Sequence, residues 1–303
     1  MEGYVIVIGS ARVEAAGRSF SAKLRDGEPN PGRVSLSAGG AGRNIALNLR
    51  LLDVPVRLVT VFGGDSWADK LRGEFSSAMV DTSLSLTASE EFTPANISIF
   101  DSDRDLDFSI SDTELFSKLT PEYLDSISAE INSARAVVFD ADLPQESIHR
   151  LVSFCDVPLI ADPLSALKAE KLSDVLSRLF AIKPNIYEAE TLTGICIESD
   201  YRLKKAAEAF INAGVKNVFI SLGKDGIFAK QGDFEALAPC VAEHVKNPAG
   251  GGDAVLAALV WAYLQGLDIR EAAEVSQMAA RMAVEYLGAV NSALSPEALK
   301  GKM

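Results

Sequence analysis

Short apolar runs alternate along this chain with longer stretches in which apolar residues recur every three or four positions. Runs of the first kind are YVIVIGS (4–10), VRLVTVFGG (56–64), RAVVFDAD (135–142), VPLIADP (157–163), LFAIKPN (179–185) and NVFISLG (217–223). They read as buried strands, the first ended by Gly9. Stretches of the second kind are GRNIALNLRLL (42–52), DSWADKLRGEFSSA (65–78) with an aspartate or serine cap, QESIHRLVSF (145–154) and DYRLKKAAEAFINAG (200–214). They read as helices. Strand and helix in strict alternation predict an α/β fold: a mostly parallel sheet covered by helices on both faces. In such sheets ligands collect at the carboxyl ends of the strands. Asp140, Asp142, Asp162, Asn185 and Gly223 fall there.

Two segments break the rhythm. Residues 11–38 are polar and rich in Gly, Arg and Ser, and residues 92–111 hold NISIF and LDFSI around DSDRD. Each reads as two short strands with a tight turn. They are either ordinary surface hairpins or a small accessory sheet that closes over a site. The expected division is an α/β core of residues 1–10, 40–90 and 112–303, with a β lid of residues 11–39 and 91–111.

Of the 303 residues, 48% are hydrophobic and 23% charged, an ordinary globular balance. The net charge of −13 sets the surface as a whole against nucleic-acid backbones and anionic membranes, so neither is expected as a partner. A local cationic pocket for a phosphorylated ligand stays open. Three scattered cysteines show no metal spacing and read as buried, reduced thiols. MEGYVIVIGS lacks the form of a signal peptide, and AVLAALVWAYL is too short to cross a bilayer. A soluble, cytoplasmic protein is expected.

Candidate chemistry concentrates in glycine-rich junctions. NPAGGGD (247–253) places Gly250, Gly251, Gly252 and Asp253 at the start of an apolar helix. Asp253 is either a helix cap or a proton acceptor beside an anion site made of backbone N–H groups. GGAGRN (39–44) opens the first long helix, where glycines allow close approach and Asn44 suits a pair of sugar hydroxyls. In KPNIYEAE (183–190) the spacing of Asn185 and Glu188 serves either a cap or magnesium, directly or through water. SLGKDG (221–226) is either a plain turn or a backbone loop against a nucleotide phosphate, with Lys224 beside it. The two histidines, His149 and His244, read as structural or exposed, and no G-x-S-x-G elbow exists.

In this order, GG-x-x-x-N, N-x-x-E, S-x-G-x-x-G and G-x-G-D resemble the motifs of the ribokinase-like (PfkB) carbohydrate kinases, over essentially the whole chain. Within that family, IGSARVEAAG (8–17), NPGRVSLSAGGAGRNIALNLRLL (30–52), ADPLSALK (161–168) and KPNIYEAETLTGI (183–195) look most like the pseudouridine kinases. The resemblance implies a three-layer α/β/α ribokinase-like fold with a small β-sheet lid that often also makes a dimer interface. It implies ATP-dependent phosphorylation of a sugar-like alcohol with magnesium, and leaves room for a monovalent cation such as potassium. Asp253 would be the base, and Ala249, Gly250, Gly251 and Gly252 the anion hole. Asn185 and Glu188 would organise magnesium and the phosphates, and Ser221, Gly223, Gly226 and Lys224 would lie along the nucleotide. Gly39, Gly40 and Asn44 would hold the sugar. Glu14, with Arg12 before it, stands where the family usually has an aspartate that grips the sugar hydroxyls. Asn247, Pro248 and Ala249 replace the usual lead of the glycine loop. Glu14 puts ribose, a ketohexose derivative or another nucleoside beside pseudouridine as acceptors, while Ala249 removes one possible phosphate or ion contact. A non-catalytic sugar- or nucleotide-binding regulator is the alternative of another class.

Overall fold

The computed structural model describes residues 3–102 and 106–300. Residues 103–105 of the expected DSDRD turn, and residues 1–2 and 301–303 of the expected core, lie outside the described residues.

The chain runs through β1 (Val5–Ile8), β2 (Arg12–Ser19), β3 (Gly32–Gly39), α1 (Ala41–Leu51), β4 (Val56–Val59), β5 (Val61–Phe62), α2 (Ser66–Ser77), β6 (Leu86–Thr87), β7 (Ala95–Phe100) and β8 (Leu106–Ser111). It continues through α3 (Pro121–Ser126), α4 (Ser128–Asn132), β9 (Ala136–Asp140), α5 (Gln145–Phe154), β10 (Leu159–Asp162), α6 (Ala166–Ala169), β11 (Ala181–Ile182), α7 (Ile186–Thr193) and α8 (Asp200–Asn212). The last elements are β12 (Asn217–Ser221), β13 (Ile227–Gln231), β14 (Phe234–Ala238), α9 (Gly251–Gln265) and α10 (Ile269–Val284), before a short terminal helix.

Eight strands form the main sheet in the order β14-β13-β12-β11-β10-β9-β1-β4. Strands β4, β1, β9, β10, β11 and β12 are parallel, and β13 and β14 return antiparallel at one edge. Side chains of a strand alternate between faces, and β1 shows both destinations. Val5 and Val7 enter the core under α1, α9 and α10, with Ile45, Leu49, Leu256 and Val275. Ile6 and Ile8 enter the opposite core under α3, α5 and α8, with Leu124, Leu151 and Phe210. The expected three-layer α/β/α arrangement is the one observed. Helix α9 is apolar nearly all round, and residues Ala254 through Ala262 are buried, so it runs through the interior between α1 and α10. That location carries Asp253 to the first turn of α1.

The run 56–64 is not one strand. It breaks at buried Thr60, where the Ser85 hydroxyl accepts the Thr60 N–H at 3.2 Å and donates to the Leu58 carbonyl at 2.8 Å. A side chain there takes the place of ladder bonds, and β5 turns away to pair with β6.

The two irregular segments meet in one four-stranded sheet, β3-β2-β7-β8. Strands β2 and β3 are eight residues each, longer than expected, and residues 20–31 join them in place of a tight turn. Register separates its two faces. Ala15 and Gly17 pair with Leu36 and Val34 on one side and with Ile97 and Ile99 on the other, and those two pair with Ile110 and Phe108. Val34, Leu36, Ile97, Phe108 and Ile110 on this face are exposed. The opposite register is polar: Glu14 pairs with Ser37 and Asn96, and Ala16 with Ser35 and Ser98.

Candidate active site

Asp253 is the third residue of α9. The cap position belongs to Gly250, which adopts a left-handed φ of 82° and uses no side chain to cap the helix. The capping alternative for Asp253 is therefore not realised. A Cβ on Gly250 would sit 2.0 Å from the Ala289 carbonyl oxygen, so only glycine fits this turn. The first intrahelical bond is from Ala254 N–H to Gly250 at 2.9 Å, which leaves the N–H groups of Gly252 and Asp253 pointing out of the helix end. Gly251 N–H makes a long 3.5 Å contact to Pro248, and Ala249 N–H already donates to Asn247 Oδ1 at 3.0 Å. Asn247 also donates through Nδ2 to the Leu287 carbonyl at 2.9 Å, tying the loop to the segment after α10 through an uncharged side chain.

The Asp253 carboxylate accepts from Asn44 Nδ2 at 2.7 Å. Burial and Asp162 push its pKa up to about 7, against the pull of the Asn44 bond, Lys183 and Arg12. A carboxylate with that value is poised to exchange a proton near neutral pH.

Below it lie the strand ends. Lys183, just beyond β11, is buried, with Nζ 3.7 Å from Asp162 Oδ1. Burial works against its charge, yet Asp162, Glu188 and Asp253 outweigh that and hold its pKa above the ordinary value. Asp140 accepts from the N–H groups of Ser10 at 2.8 Å and Asp142 at 3.1 Å, and burial with Asp142 and Asp162 nearby pushes its pKa up. Gly9 passes Asp140 and α1 so closely that a Cβ would meet Asp140 Oδ2 at 2.3 Å and Gly42 Cα at 3.1 Å.

A cavity of 1360 Å³ opens onto Asp253. Arg12, Glu14, Gly39, Gly40, Asn44, Ala249, Gly250 and Asp253 line it, together with the polar register of the four-stranded sheet. Glu14 is held from two sides: Arg12 Nε donates to Oε1 at 2.8 Å and Asn96 Nδ2 to Oε2 at 2.9 Å. Arg12 also lies 3.5 Å from Asp142, which pairs with Lys168. Glu14, Asp142 and Asp140 raise the Arg12 pKa although burial opposes them.

Asn185 and Glu188 form a complete capping box at the start of α7. Asn185 Oδ1 accepts from Glu188 N–H, and Glu188 Oε2 accepts from Asn185 N–H, both at 2.9 Å. Asn185 Nδ2 adds a 2.7 Å bond to Glu188 Oε1. Burial pushes the Glu188 pKa up, while Lys183 and the Asn185 backbone N–H pull it back. Among the described residues no group of three or more His, Cys, Asp or Glu side chains gathers as a metal site. The donor set fits magnesium only in its common manner, through retained waters and the phosphates of a nucleotide.

The Asn185 backbone bridges Ser221, at the end of β12, and Ser221 N–H and Oγ both donate to the Pro184 carbonyl, at 2.9 and 3.2 Å. Gly223 and Gly226 then turn the chain into β13 with φ of 61° and 106°. Lys224 stands exposed between them. The residues expected along a nucleotide do not line the large cavity.

The pfkB family carbohydrate kinase model matches residues 2–296. The chain belongs to the pfkB family of carbohydrate kinases. It is 31% identical over 284 residues to the pseudouridine kinase of Escherichia coli (strain K12), covering 93% of this chain and 90% of that one. A solved carbohydrate kinase from Agrobacterium tumefaciens superposes with a TM-score of 0.84 at 26% identity, covering 99% of this chain and 96% of that one. An Arabidopsis thaliana ribokinase, solved with ribose and ATP, shares the fold with a TM-score of 0.83 at 23% identity, over 99% of both chains. The pfkB chain described here is accordingly an ATP-dependent phosphotransferase of the sugar and nucleoside kinase class.

Several side chains of this pfkB kinase site carry no motif of their own. In the sequence Lys183 is a lone cation closing an apolar strand. Asn96 lies within NISIF, whose apolar neighbours describe only a strand. Arg43 sits inside GGAGRN, but its partner Glu74 comes 31 positions later. The cysteines need a correction: Cys155 is buried, while Cys196 is exposed and Cys240 half-buried, because the last two fall on connecting loops. His149 pairs with Asp174 at 2.9 Å at the surface, away from the cavity. Among the described residues no helix is long and apolar enough to cross a membrane.

Proposed function

We propose that this kinase transfers the γ-phosphoryl group of ATP to the primary hydroxyl of a nucleoside, with pseudouridine as acceptor and pseudouridine 5′-phosphate as product. The observation that carries the reading is Asp253: a carboxylate with its pKa near 7, in the first turn of a buried helix whose N-terminus has no side-chain cap, on the wall of a polar cavity. The acceptor hydroxyl gives its proton to Asp253 as its oxygen bonds to the γ-phosphorus, and the bond to ADP breaks. Such a transfer asks the protein mainly for positioning and charge stabilisation. The N–H groups of the Gly250–Gly252 turn, Gly252 foremost, face the charge on the transferring group, with the α9 dipole behind them. Ala249 shapes the turn, its own N–H being engaged by Asn247.

Glu14, oriented by Arg12 and Asn96, receives sugar hydroxyls, with Gly39, Gly40 and the remaining Asn44 N–H. Ser221, Gly223, Gly226 and Lys224 lie along the nucleotide phosphates and ribose. Bound magnesium would neutralise phosphate charge, with Glu188 and Asn185 holding its waters. Any potassium would act on the loop that Asn247 already ties to Leu287. Support for pseudouridine over other acceptors is the 31% identity to a pseudouridine kinase over most of both chains.

ATP consumption with magnesium, scanned over pseudouridine, uridine, ribose and fructose 6-phosphate, tests this reading. Pseudouridine is expected to show the highest kcat/KM. Ribose or fructose 6-phosphate ahead of it discards the acceptor. Nucleoside binding without turnover on any of the four points to the binding regulator.

We further propose that the four-stranded sheet is the lid of this site and the dimer interface of a cytoplasmic enzyme. Its polar register lines the cavity, while Val34, Leu36, Ile97, Phe108 and Ile110 form an apolar face that single chains leave in water. Light scattering is expected to give a dimer for the native chain and a monomer for the Leu36→Asp/Ile110→Asp double variant. A monomeric native protein contradicts it.

A further inference from the structure

The Asn44 amide is held at both ends. Its Nδ2 donates to Asp253, and its Oδ1 accepts from Arg43 Nη1 at 2.6 Å. Arg43 is itself only 7% exposed on α1, and α2 clamps its guanidinium: Nε donates to Glu74 Oε2 at 2.7 Å, and Nη2 bonds to Glu74 Oε1. A two-point Arg–carboxylate fork fixes the plane of the guanidinium. A fixed guanidinium beside one end of an amide decides which end that is, because guanidinium donates and never accepts. The amide oxygen must therefore face Arg43, and the amide nitrogen must face Asp253.

We infer that Glu74 and Arg43 are positioning residues, which lock the orientation of Asn44 so that a donor, not an acceptor, always meets the carboxylate of the base. The inference rests on Asp253 being that base. Without the lock, the Asn44 amide can turn and present its oxygen to the carboxylate, which then loses a hydrogen bond and gains a repulsion. Other charged groups bear on Asp253 from the elements packed around it. Asp162 at the end of β10 disfavours its ionised form, while Lys183 beyond β11 and Arg12 on β2 favour it. None of them bonds to Asn44, so none replaces the lock. The base works only when ionised, so the rate rises with pH through its pKa. Loss of one hydrogen bond to a charged group moves that limb up by about one pH unit, which lowers kcat about tenfold on the acid side.

The pH profile of kcat tests the inference, measured on Arg43→Met, Glu74→Ala, Asn44→Ala and both pairwise combinations with Asn44→Ala. Arg43→Met and Glu74→Ala are both expected to move the acid limb up. Neither is expected to move it further once Asn44 is alanine, since a residue that acts through another has no effect in its absence. Glu74→Ala gives the sharper sign. Removing a negative charge through space alone would ease ionisation and move the limb down, whereas releasing Arg43 moves it up. A downward or absent shift in Glu74→Ala, or a shift that persists in the Asn44→Ala background, overturns the inference. Glu74 is partly exposed, so its variant remains the test if Arg43→Met fails to fold. Asp253→Asn separates the premises. Retained turnover there removes the base itself, while lost turnover with no shift in Glu74→Ala removes only the lock.

Discussion

Asp253→Asn is expected to lower turnover by about 10²–10⁴-fold, the usual contribution of a positioned general base, while leaving ATP affinity largely intact. Asparagine keeps the size and the hydrogen-bonding reach of the side chain but cannot take the proton. The same variant carries a stability signature of the opposite sign. In the folded chain the Asp253 pKa is raised from 3.8 to about 7. Between those values the folded state binds a proton that the unfolded chain has released, so stability falls as pH rises through that window and stays lowered above it. Asp253→Asn removes the cost. Water reaching the partly exposed group holds the gain to about 2 kcal/mol at pH 8, and the gain disappears below about pH 4. Melting curves of both proteins from pH 4 to 8 check it. A variant that is less active and no more stable at pH 8 would show that Asp253 is not held against its ionisation.

Gly250→Ala should produce the second large loss, through the backbone. At φ 82° any Cβ is strained, and here it would also enter the Ala289 carbonyl at 2.0 Å. The turn must then open, displacing the Gly252 and Asp253 N–H groups from the helix end. We expect a loss of about 2 kcal/mol or more in stability and about 10²-fold in kcat, since a displacement near 1 Å costs that much at a reacting centre. Thermal melts and steady-state kinetics read both. A fall in stability with kcat unchanged would place the phosphoryl group away from this turn.

The period of apolar positions made the layers legible. Alternation within β1 sends Val5 and Val7 to one core and Ile6 and Ile8 to the other, and the three-to-four spacing in 42–52 and 65–78 matches α1 and α2. Contacts that depend on a second segment were not legible. The break at Thr60 requires Ser85, and the crossing at Gly9 requires Asp140 and Gly42. Glycines in GGAGRN signalled close approach, but part of that approach is chain on chain: Gly40 caps α1 at φ 99°, and its Cβ would sit 2.4 Å from the Ser10 carbonyl. The spacing of Asn185 and Glu188 serves a cap or a magnesium site, and the cap is the part already visible in the folded chain. Nothing in the pattern around Arg43 announced Glu74, because the clamp exists only once α1 and α2 lie together.

Phosphorus and proton NMR of the product made from ATP, magnesium and pseudouridine shows which atom receives the phosphoryl group. ADP and one monoester whose phosphorus couples to the 5′ methylene protons are expected, with formation lost in Asp253→Asn. A product phosphorylated on a ring hydroxyl, or ATP hydrolysed with pseudouridine left intact, would contradict transfer to the primary hydroxyl.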